Sequence, residues 1–285
     1  CYLPTVGEQV RYAAPSSRSV KEYLDIMDHR KTEQLIDTLD KVEQNRKECY
    51  IREFSIEHFH DSKVFETLIP KICKIFREEN EELTGFENEE ILAEYQIYKT
   101  PGYVYMKGNV QIYSAGKQAA DISAFPEGIA VAVGSEEDTP DICVDQTIDK
   151  VFTIENLTSF YRFKQEHSLV IYLGGYHNHS RRNLLMQIYQ KLPDAQYYHF
   201  GDLDAGGFYI LEHLKRKTGI PFQMFQMDIE TLKKYEDYAK PLTENDKKRL
   251  MQLEKMELPD KERKLITYML QKGIKLEQEC ISESQ

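Results

Sequence analysis

Short apolar runs alternate with amphipathic segments along the C-terminal half of the chain. The strands that these runs predict are 151–155, 169–175, 195–204 and 221–228. Apolar residues at helical spacing predict the helices, which follow residue 156 and cover 181–192 and 206–219, with Gly219 ending the last. Since strands that alternate with helices build βαβ units, residues 148–285 are predicted to form an α/β domain with a mostly parallel sheet flanked by helices.

The N-terminal part of the chain is predicted to be helical and highly charged. Within residues 1–48, the apolar residues at helical spacing are Leu24, Met27, Leu35, Ile36, Leu39 and Val42. This pattern predicts an amphipathic helical connector, expected to continue from a truncated N-terminal region because the chain begins with Cys1. Another helix is predicted after Asp61 and Ser62, which are candidates for its N-terminal cap.

Antiparallel strands are predicted between residues 91 and 133. Apolar and aromatic residues are dense in 91–116, where Pro101-Gly102 and Gly108-Asn109 are the predicted turns. A further short strand is predicted over 128–134. Residues 49–147 are therefore predicted to form a smaller α+β domain ahead of the α/β domain.

Composition narrows the class of protein. Charged residues make up 30% of the 285 residues and aromatic residues 11%, which excludes a disordered chain. No apolar run approaches the roughly 18 residues that span a bilayer, so no membrane partner is expected. The five cysteines form no CxxC pair, so neither a zinc cage nor a disulfide framework is expected. A reduced, cytoplasmic location fits these thiols best.

Three carboxylates follow predicted strands of the α/β domain. Glu155 ends the first strand, and Asp202 and Asp204 end the third. Ligands gather at the carboxyl ends of parallel strands, and a D-x-D sequence places both aspartates on one side of the chain. Oxygen donors suit a hard cation such as Mg²⁺, which can clamp a phosphodiester and activate water. The alternatives are a structural D-x-D sequence and a sugar-nucleotide transferase that uses Mn²⁺.

The segment 174–185 contains candidate nucleic-acid contacts. Arg181 and Arg182 open a predicted helix, where arginines favour phosphate binding. His177 and His179 precede them and are candidate bases, metal ligands or DNA contacts. The alternative for all four residues is a solvated polar position. Lys63, beside the predicted cap, is a further candidate DNA contact.

These motifs resemble those of the JetD family, the nuclease subunits of Wadjet systems, also called MksG in Mks-type condensin systems. The resemblance covers about residues 48–285, and the segments that carry it are 52–66, 152–160, 172–176, 199–214 and 268–279. The order of an acidic residue, a Gly-Gly strand end and a D-x-D sequence is also similar to the Toprim domain of type IIB topoisomerases.

The resemblance implies a specific fold and activity. A winged-helix (CAP-like) domain over 49–147 would precede a Toprim domain over 148–285, and the protein would form a homodimer. An SMC motor complex with kleisin and accessory subunits would extrude double-stranded plasmid DNA for the nuclease to cut. Glu155, Asp202 and Asp204 would be the metal-binding and catalytic acids, with Mg²⁺ or Mn²⁺ as the cofactor.

One departure from the topoisomerase pattern bears on the chemistry. Those enzymes attack DNA with a tyrosine just after an arginine of the winged-helix domain. Here Arg52 is followed by Glu-Phe-Ser-Ile, and Tyr50 precedes it, so hydrolysis by water is the preferred prediction. The alternatives are a tyrosine-dependent topoisomerase-like enzyme and a non-catalytic DNA-binding subunit. Glu277 and Glu279 are candidate ligands of a second metal, with a helix-surface position as the alternative.

These motifs change the interpretation of the net charge of −11. By itself it argues against nucleic acid as a partner, because an acidic protein repels polyanions. A metal site, however, concentrates part of that acidity and repels DNA only until cations fill it. Arg181, Arg182 and Lys63 would then bind phosphates locally. We hypothesise that a motor delivers the DNA, so tight, salt-independent binding of naked DNA by the isolated chain would contradict this interpretation.

Overall fold

The computed structural model describes residues 29–80, 83, 86–99, 102–114, 116–133, 141–174 and 179–281. The chain divides into two compact units, residues 1–101 and 102–285. Leu24, Met27 and His177, which were singled out above, lie outside the described residues. None of the helices in the described ranges is long and apolar enough to cross a membrane.

The smaller unit is mainly helical. Its helices are α1 (His29–Gln44), α2 (Ile51–Phe59), α3 (Val64–Glu79) and α4 (Asn88–Glu94), and β1 (Cys49–Tyr50) pairs in parallel with β2 (Ile97–Tyr98). The apolar face predicted for α1 is confirmed, because Leu35, Ile36, Leu39 and Val42 are buried. That face packs against α3, so α1 belongs to the core of this unit and differs in this respect from the predicted connector.

The predicted cap of α3 is wrong. Lys63 holds the N-cap position, and it makes no capping hydrogen bond through its side chain. Asp61 instead closes the turn before the helix, where its Oδ1 accepts a hydrogen bond from the backbone N–H of Lys63 at 2.7 Å. Buried Ser55 joins the two helices, since its Oγ accepts from the N–H of Phe65 at 3.0 Å. A polar core residue of α2 therefore satisfies the first turn of α3.

A six-stranded sheet forms the centre of the larger unit. Its spatial order is β11-β10-β8-β9-β3-β6, and the strands are β3 (Gly102–Lys107), β6 (Ile129–Val133), β8 (Lys150–Ile154), β9 (Ser168–Tyr172), β10 (Gln196–Phe200) and β11 (Gln223–Met224). The four strands from β11 to β9 are parallel, and β3 and β6 extend the sheet in antiparallel pairing. Nearly every residue of β8 and β9 is buried, as expected for parallel strands covered on both faces.

The helices of the larger unit confirm the predicted α/β architecture. They are α5 (Leu157–Arg162), α6 (His179–Lys191), α7 (Ala205–Thr218), α8 (Ile229–Lys234), α9 (Glu244–Leu253) and α10 (Asp260–Lys272). Gly219 ends α7 with a left-handed φ of 70°, as predicted. The strand predicted to run to 204 ends at Phe200, and the fourth predicted strand is only the two-residue β11. Near the C-terminus, β12 (Lys240–Pro241) pairs with β13 (Ile274–Lys275).

The antiparallel pairing predicted across the Gly108-Asn109 turn is wrong. β4 (Val110–Ser114) pairs with β5 (Lys117–Asp121) and β7 (Asp141–Val144) in a separate three-stranded sheet, whereas β3 pairs with β6 and β9. Gly108 carries the chain between the sheets with φ 138°, and a Cβ there would lie 2.6 Å from the carbonyl oxygen of Ser168. Because β3 and β6 join the central sheet, the observed unit begins at Gly102, upstream of the domain boundary predicted at 147/148.

Candidate functional site

The three predicted acids lie at one edge of the central sheet. Since β8 and β10 are neighbouring parallel strands, their carboxyl ends meet at this edge. Glu155 follows β8, and its N–H donates to the carbonyl oxygen of Phe200 at 3.0 Å. The N–H of Asp202 in turn donates to Glu155 Oε2 at 3.4 Å. Glu155 and Asp202 are therefore in direct contact, as the positions of their strands predict.

Asp204 has a structural contact as well as a charge at this edge. It is the N-cap of α7, where its Oδ1 accepts from the N–H of Gly207 at 2.9 Å. Its charge raises the pKa of Asp202, so the two carboxylates interact electrostatically. Asp204 thus adds a carboxylate to this edge of the sheet while it holds the first turn of the following helix.

Two glycines allow the chain to pack closely at this edge. A Cβ on Gly201 would lie 2.5 Å from Glu155 Oε2 and 2.9 Å from His199 Nε2. A Cβ on Gly207 would lie 2.2 Å from the carbonyl oxygen of Asp202. Both positions therefore require glycine to keep the acids where they are.

Gln278, which sequence analysis missed, ties this edge together. Its backbone N–H donates to Asp202 Oδ1 at 2.7 Å, and its Nε2 donates to the carbonyl oxygen of Phe200 at 3.0 Å. Its Oε1 accepts from the N–H of Asn156 at 2.9 Å, and the side chain is fully buried. One residue thus connects the ends of β8 and β10 with the carboxylate of Asp202. In the sequence, only its position between Glu277 and Glu279, two candidate metal ligands, points to a role at this site.

Glu277 and Glu279 flank this connection. The backbone approaches the edge through Leu276, which exchanges two hydrogen bonds with Leu203 at 2.9 and 3.1 Å. Glu277 Oε1 pairs with Lys240 Nζ at 2.5 Å, and Glu279 Oε1 accepts from Asn156 Nδ2 at 2.5 Å. Both charges raise the pKa of Asp202, so these acids belong to the same electrostatic cluster.

Burial and negative charge make Asp202 unusually basic. Burial, together with the charges of Asp204, Glu279 and Glu277, raises its pKa to about 6, against the lowering effect of the Gln278 N–H. A cation beside this carboxylate would relieve the unfavourable charge. Together Glu155, Asp202, Asp204, Glu277 and Glu279 form the acidic edge of the sheet.

The acidic edge fits a hard cation by the chemistry of its donors. All five side chains offer carboxylate oxygens, which Mg²⁺ and Mn²⁺ prefer. Within the described ranges, no three His, Cys, Asp or Glu side chains are grouped closely enough to hold a metal ion as they stand. The residues therefore have the donor atoms and the negative charge that a divalent cation needs. A bound cation would have to draw a further carboxylate toward Glu155 and Asp202.

A neutral histidine lies beneath the acidic edge. His199 is fully buried, and its burial lowers its pKa to about 3. Its Nδ1 is 3.0 Å from the hydroxyl of Thr153 on the neighbouring strand, whereas Nε2 has no hydrogen-bond partner among the described residues. At neutral pH this ring adds no charge to the acidic edge.

The raised pKa of Asp202 predicts a stability effect in metal-free buffer. Its folded pKa exceeds its unfolded value, so the folded state loses stability as pH rises from about 4 to about 6. Asp202→Asn keeps an oxygen that can accept from the Gln278 N–H and removes the charge. We therefore expect the variant to melt roughly 2–6 °C above the wild type at pH 8 in EDTA, with the gap closing toward pH 4. Thermal denaturation followed by circular dichroism checks this. An equal difference in melting temperature at pH 8 and at pH 4 would contradict a raised pKa for Asp202.

Of the five candidate DNA contacts, two arginines are held within the protein, one lysine is exposed, and two histidines have side chains outside the described part. Arg181 Nη1 donates to the carbonyl oxygen of Leu173, and buried Arg182 lies close enough to His213 to lower the pKa of that ring. Lys63 is exposed at the start of α3. His179 begins α6, but its side chain, like the whole of His177, is outside the described part. Their contacts with DNA stay predictions.

The cysteine prediction can be examined at four of the five positions. Cys49, Cys73, Cys143 and Cys280 are free thiols. Burial raises the pKa of Cys49 to about 11 and that of Cys73 to about 12, so both are protonated at neutral pH. These buried thiols are unreactive core residues.

Comparison with known proteins identifies a family and a relative. The family described as Wadjet protein JetD, C-terminal, matches residues 136–285. Wadjet protein JetD from Bacillus cereus (strain Q1) is 28% identical over 263 residues. That alignment covers 90% of this chain and 63% of the relative, so the chain spans less than two thirds of the relative's length. The matched family region contains every residue of the acidic edge.

Proposed function

Since the chain belongs to the family described as Wadjet protein JetD, C-terminal, we propose that it is the nuclease subunit of a Wadjet plasmid-defence system. In this proposal the acidic edge hydrolyses phosphodiester bonds of double-stranded plasmid DNA with Mg²⁺ or Mn²⁺. The observation that carries it is the meeting of Glu155 and Asp202 at the carboxyl ends of two neighbouring parallel strands, with Asp204 beside them.

Glu155, Asp202 and Asp204 would hold the cation in this proposal. When bound, the metal supplies a Lewis acid for the phosphate and lowers the pKa of water. The chain itself orients the carboxylates: Gln278 holds one oxygen of Asp202, and the Asp202 N–H holds one oxygen of Glu155. Half-buried carboxylates whose charges repel one another cost the metal-free protein stability, and a cation between them would relieve that cost.

Water is the proposed nucleophile because none of the residues that follow Arg52 in α2 is a tyrosine. In the smaller unit, Arg52 pairs with Glu66 at 3.3 Å, and Tyr50 is the N-cap residue of α2. The residues between Arg52 and the end of α2 are Glu-Phe-Ser-Ile-Glu-His-Phe. Hydrolysis also suits a defence enzyme, since it leaves broken DNA rather than a covalent intermediate that can be resealed.

The proposed partners follow from the family and from the charge of the chain. We propose a homodimer that acts with an SMC motor complex, its kleisin and accessory subunits, with a winged-helix domain in the smaller unit and a Toprim domain in the larger unit. The relative from Bacillus cereus is named a Wadjet protein, and this name supports the proposal of a Wadjet assembly. A net charge of −11 disfavours capture of free DNA and fits delivery by a motor.

Plasmid cleavage in the reconstituted assembly tests the proposed function. We expect supercoiled plasmid to be converted to linear DNA when the wild-type protein, the motor subunits, ATP and Mg²⁺ or Mn²⁺ are combined. EDTA should stop the reaction, because no other group in the acidic edge replaces the cation. Cleavage that persists in EDTA, or a phosphotyrosine-linked DNA end on a denaturing gel, would overturn metal-dependent hydrolysis.

A further inference from the structure

We infer that a cavity beside the acidic edge binds an unpaired nucleotide of the DNA strand that is cut, an inference that rests on the proposed function. This flank cavity has a volume of about 620 Å³, and its lining includes Glu127, Thr158, Tyr161, Arg162, Gln226 and Glu279. Sites for small ligands range over about 300–1,000 Å³, so the cavity is large enough for a nucleotide.

The flank cavity is continuous with the acidic edge. Glu279 belongs to both, and Phe200, the last residue of β10, lines the cavity two residues before Asp202. Helix α5 forms one wall and begins directly after Glu155 and Asn156. When a phosphodiester of the DNA lies at the acidic edge, the next nucleotide on one side of it therefore reaches this cavity.

The lining offers the groups that bind single-stranded nucleic acid. The side chain of Tyr161 is 40% exposed at the cavity, and an exposed ring of this kind stacks with a base of any sequence. Arg162 and Lys164, which also line it, supply positive charge for a phosphate. In a chain of net charge −11, two basic residues beside an acidic cluster favour a ligand that carries phosphate and base together.

A buried lysine holds the aromatic wall in place. Lys107 is only 7% exposed, and its Nζ donates to the carbonyl oxygens of Phe160 at 2.6 Å and Tyr161 at 3.3 Å. The same Nζ lies 4.9 Å from the centre of the Phe160 ring. These contacts fix the C-terminal end of α5, so the ring of Tyr161 is presented from a rigid backbone.

Gln226, which also lines the cavity, carries two features that cost the fold stability. Gln226 has a left-handed backbone with φ 52°, which is unfavourable for a residue with a side chain. Its Oε1 is buried and has no hydrogen-bond partner among the described residues. Strained backbone and unsatisfied polar groups concentrate at ligand sites, and an amide in the wall can pair with the edge of a base once the wall adjusts.

Binding of a short single-stranded oligonucleotide tests the flank cavity without cleavage. The probe carries 2-aminopurine, whose fluorescence falls on stacking, and has phosphorothioate linkages that resist hydrolysis, so the buffer can contain Mg²⁺ to neutralise the acidic edge. We expect Tyr161→Ala in the full chain to weaken binding about tenfold and to abolish the quenching, because one stacking contact is lost. Tyr161→Phe should bind like the wild type. Tyr238→Ala is the matched control, since Tyr238 is 63% exposed and does not line the cavity.

The salt dependence of the same binding reports the phosphate contact. Arg162→Gln should lower the slope of log K against log salt by about 0.7, the value for one phosphate on a single strand. Equal binding by the wild type and Tyr161→Ala, or no measurable binding by the wild type, would overturn the subsite. If the plasmid is cleaved but binding of the oligonucleotide does not depend on Tyr161, the subsite is overturned and the nuclease proposal stands. Tyr161-dependent binding without metal-dependent cleavage would support the subsite and overturn the nuclease proposal.

Discussion

Asp202→Asn is expected to lower the rate of plasmid cleavage by about a thousandfold or more, while the protein stays folded. Metal catalysis contributes several kcal/mol to the barrier, and each 1.36 kcal/mol is a tenfold change in rate. The substitution removes the charge that holds a cation and keeps an oxygen that can accept from the Gln278 N–H, now at 2.7 Å from the carboxylate. Loss of the cation site without loss of the fold is therefore the expected outcome.

The measurement is the rate of linear plasmid formation in the reconstituted assembly. Asp141→Asn is the matched control, because Asp141 pairs with Lys191 on the surface and its side chain is 74% exposed. Circular dichroism and melting temperature show whether each variant folds. Undiminished cleavage by Asp202→Asn would show that this carboxylate has no part in catalysis.

Gln278→Met should damage both stability and cleavage. It keeps a side chain of similar length but leaves the N–H of Asn156 without its partner, and it removes one of the two hydrogen bonds to the carbonyl oxygen of Phe200. An unsatisfied buried group costs about 1–3 kcal/mol and a lost hydrogen bond about 1 kcal/mol, so we expect a loss of about 2–4 kcal/mol in the free energy of unfolding. Cleavage should fall about 10–100-fold, as for residues that orient the ligands of a metal.

Chemical denaturation and the plasmid assay measure these two effects separately. Gln271→Ala is the control, since Gln271 is an exposed residue of α10. A higher Mg²⁺ concentration should restore part of the cleavage lost in Gln278→Met, because the carboxylates remain but are less well oriented. A variant that is destabilised yet cleaves at the wild-type rate would show that Gln278 serves the fold alone.

The α/β core could be predicted because its signal is local. Buried parallel strands appear as mostly apolar runs, and β8 and β9 are such runs. The acids could be placed at the sheet edge for the same reason, since the end of a strand is visible in the sequence. The contact between Glu155 and Asp202 then follows from the pairing of β8 with β10.

What could not be predicted depends on contacts distant in sequence. β3 pairs with β6 and β9 rather than with β4, and no local pattern distinguishes these partners. Gln278 acquires its role only when the C-terminal segment crosses the ends of β8 and β10. The cap formed by Asp204 is different, because an aspartate three residues before Gly207 at a helix start is a recognisable capping pattern.

Binding of Mn²⁺ to the full chain tests most directly whether the acidic edge is a divalent-cation site. Isothermal titration calorimetry after removal of metals needs neither DNA nor partner subunits. We predict saturable binding of at least one ion by the wild type and by Asp141→Asn, and its loss in Glu155→Gln and in Asp202→Asn. Absence of saturable binding by the wild type, or unchanged binding by both edge variants, would contradict the proposal that these acids hold the metal for DNA cleavage.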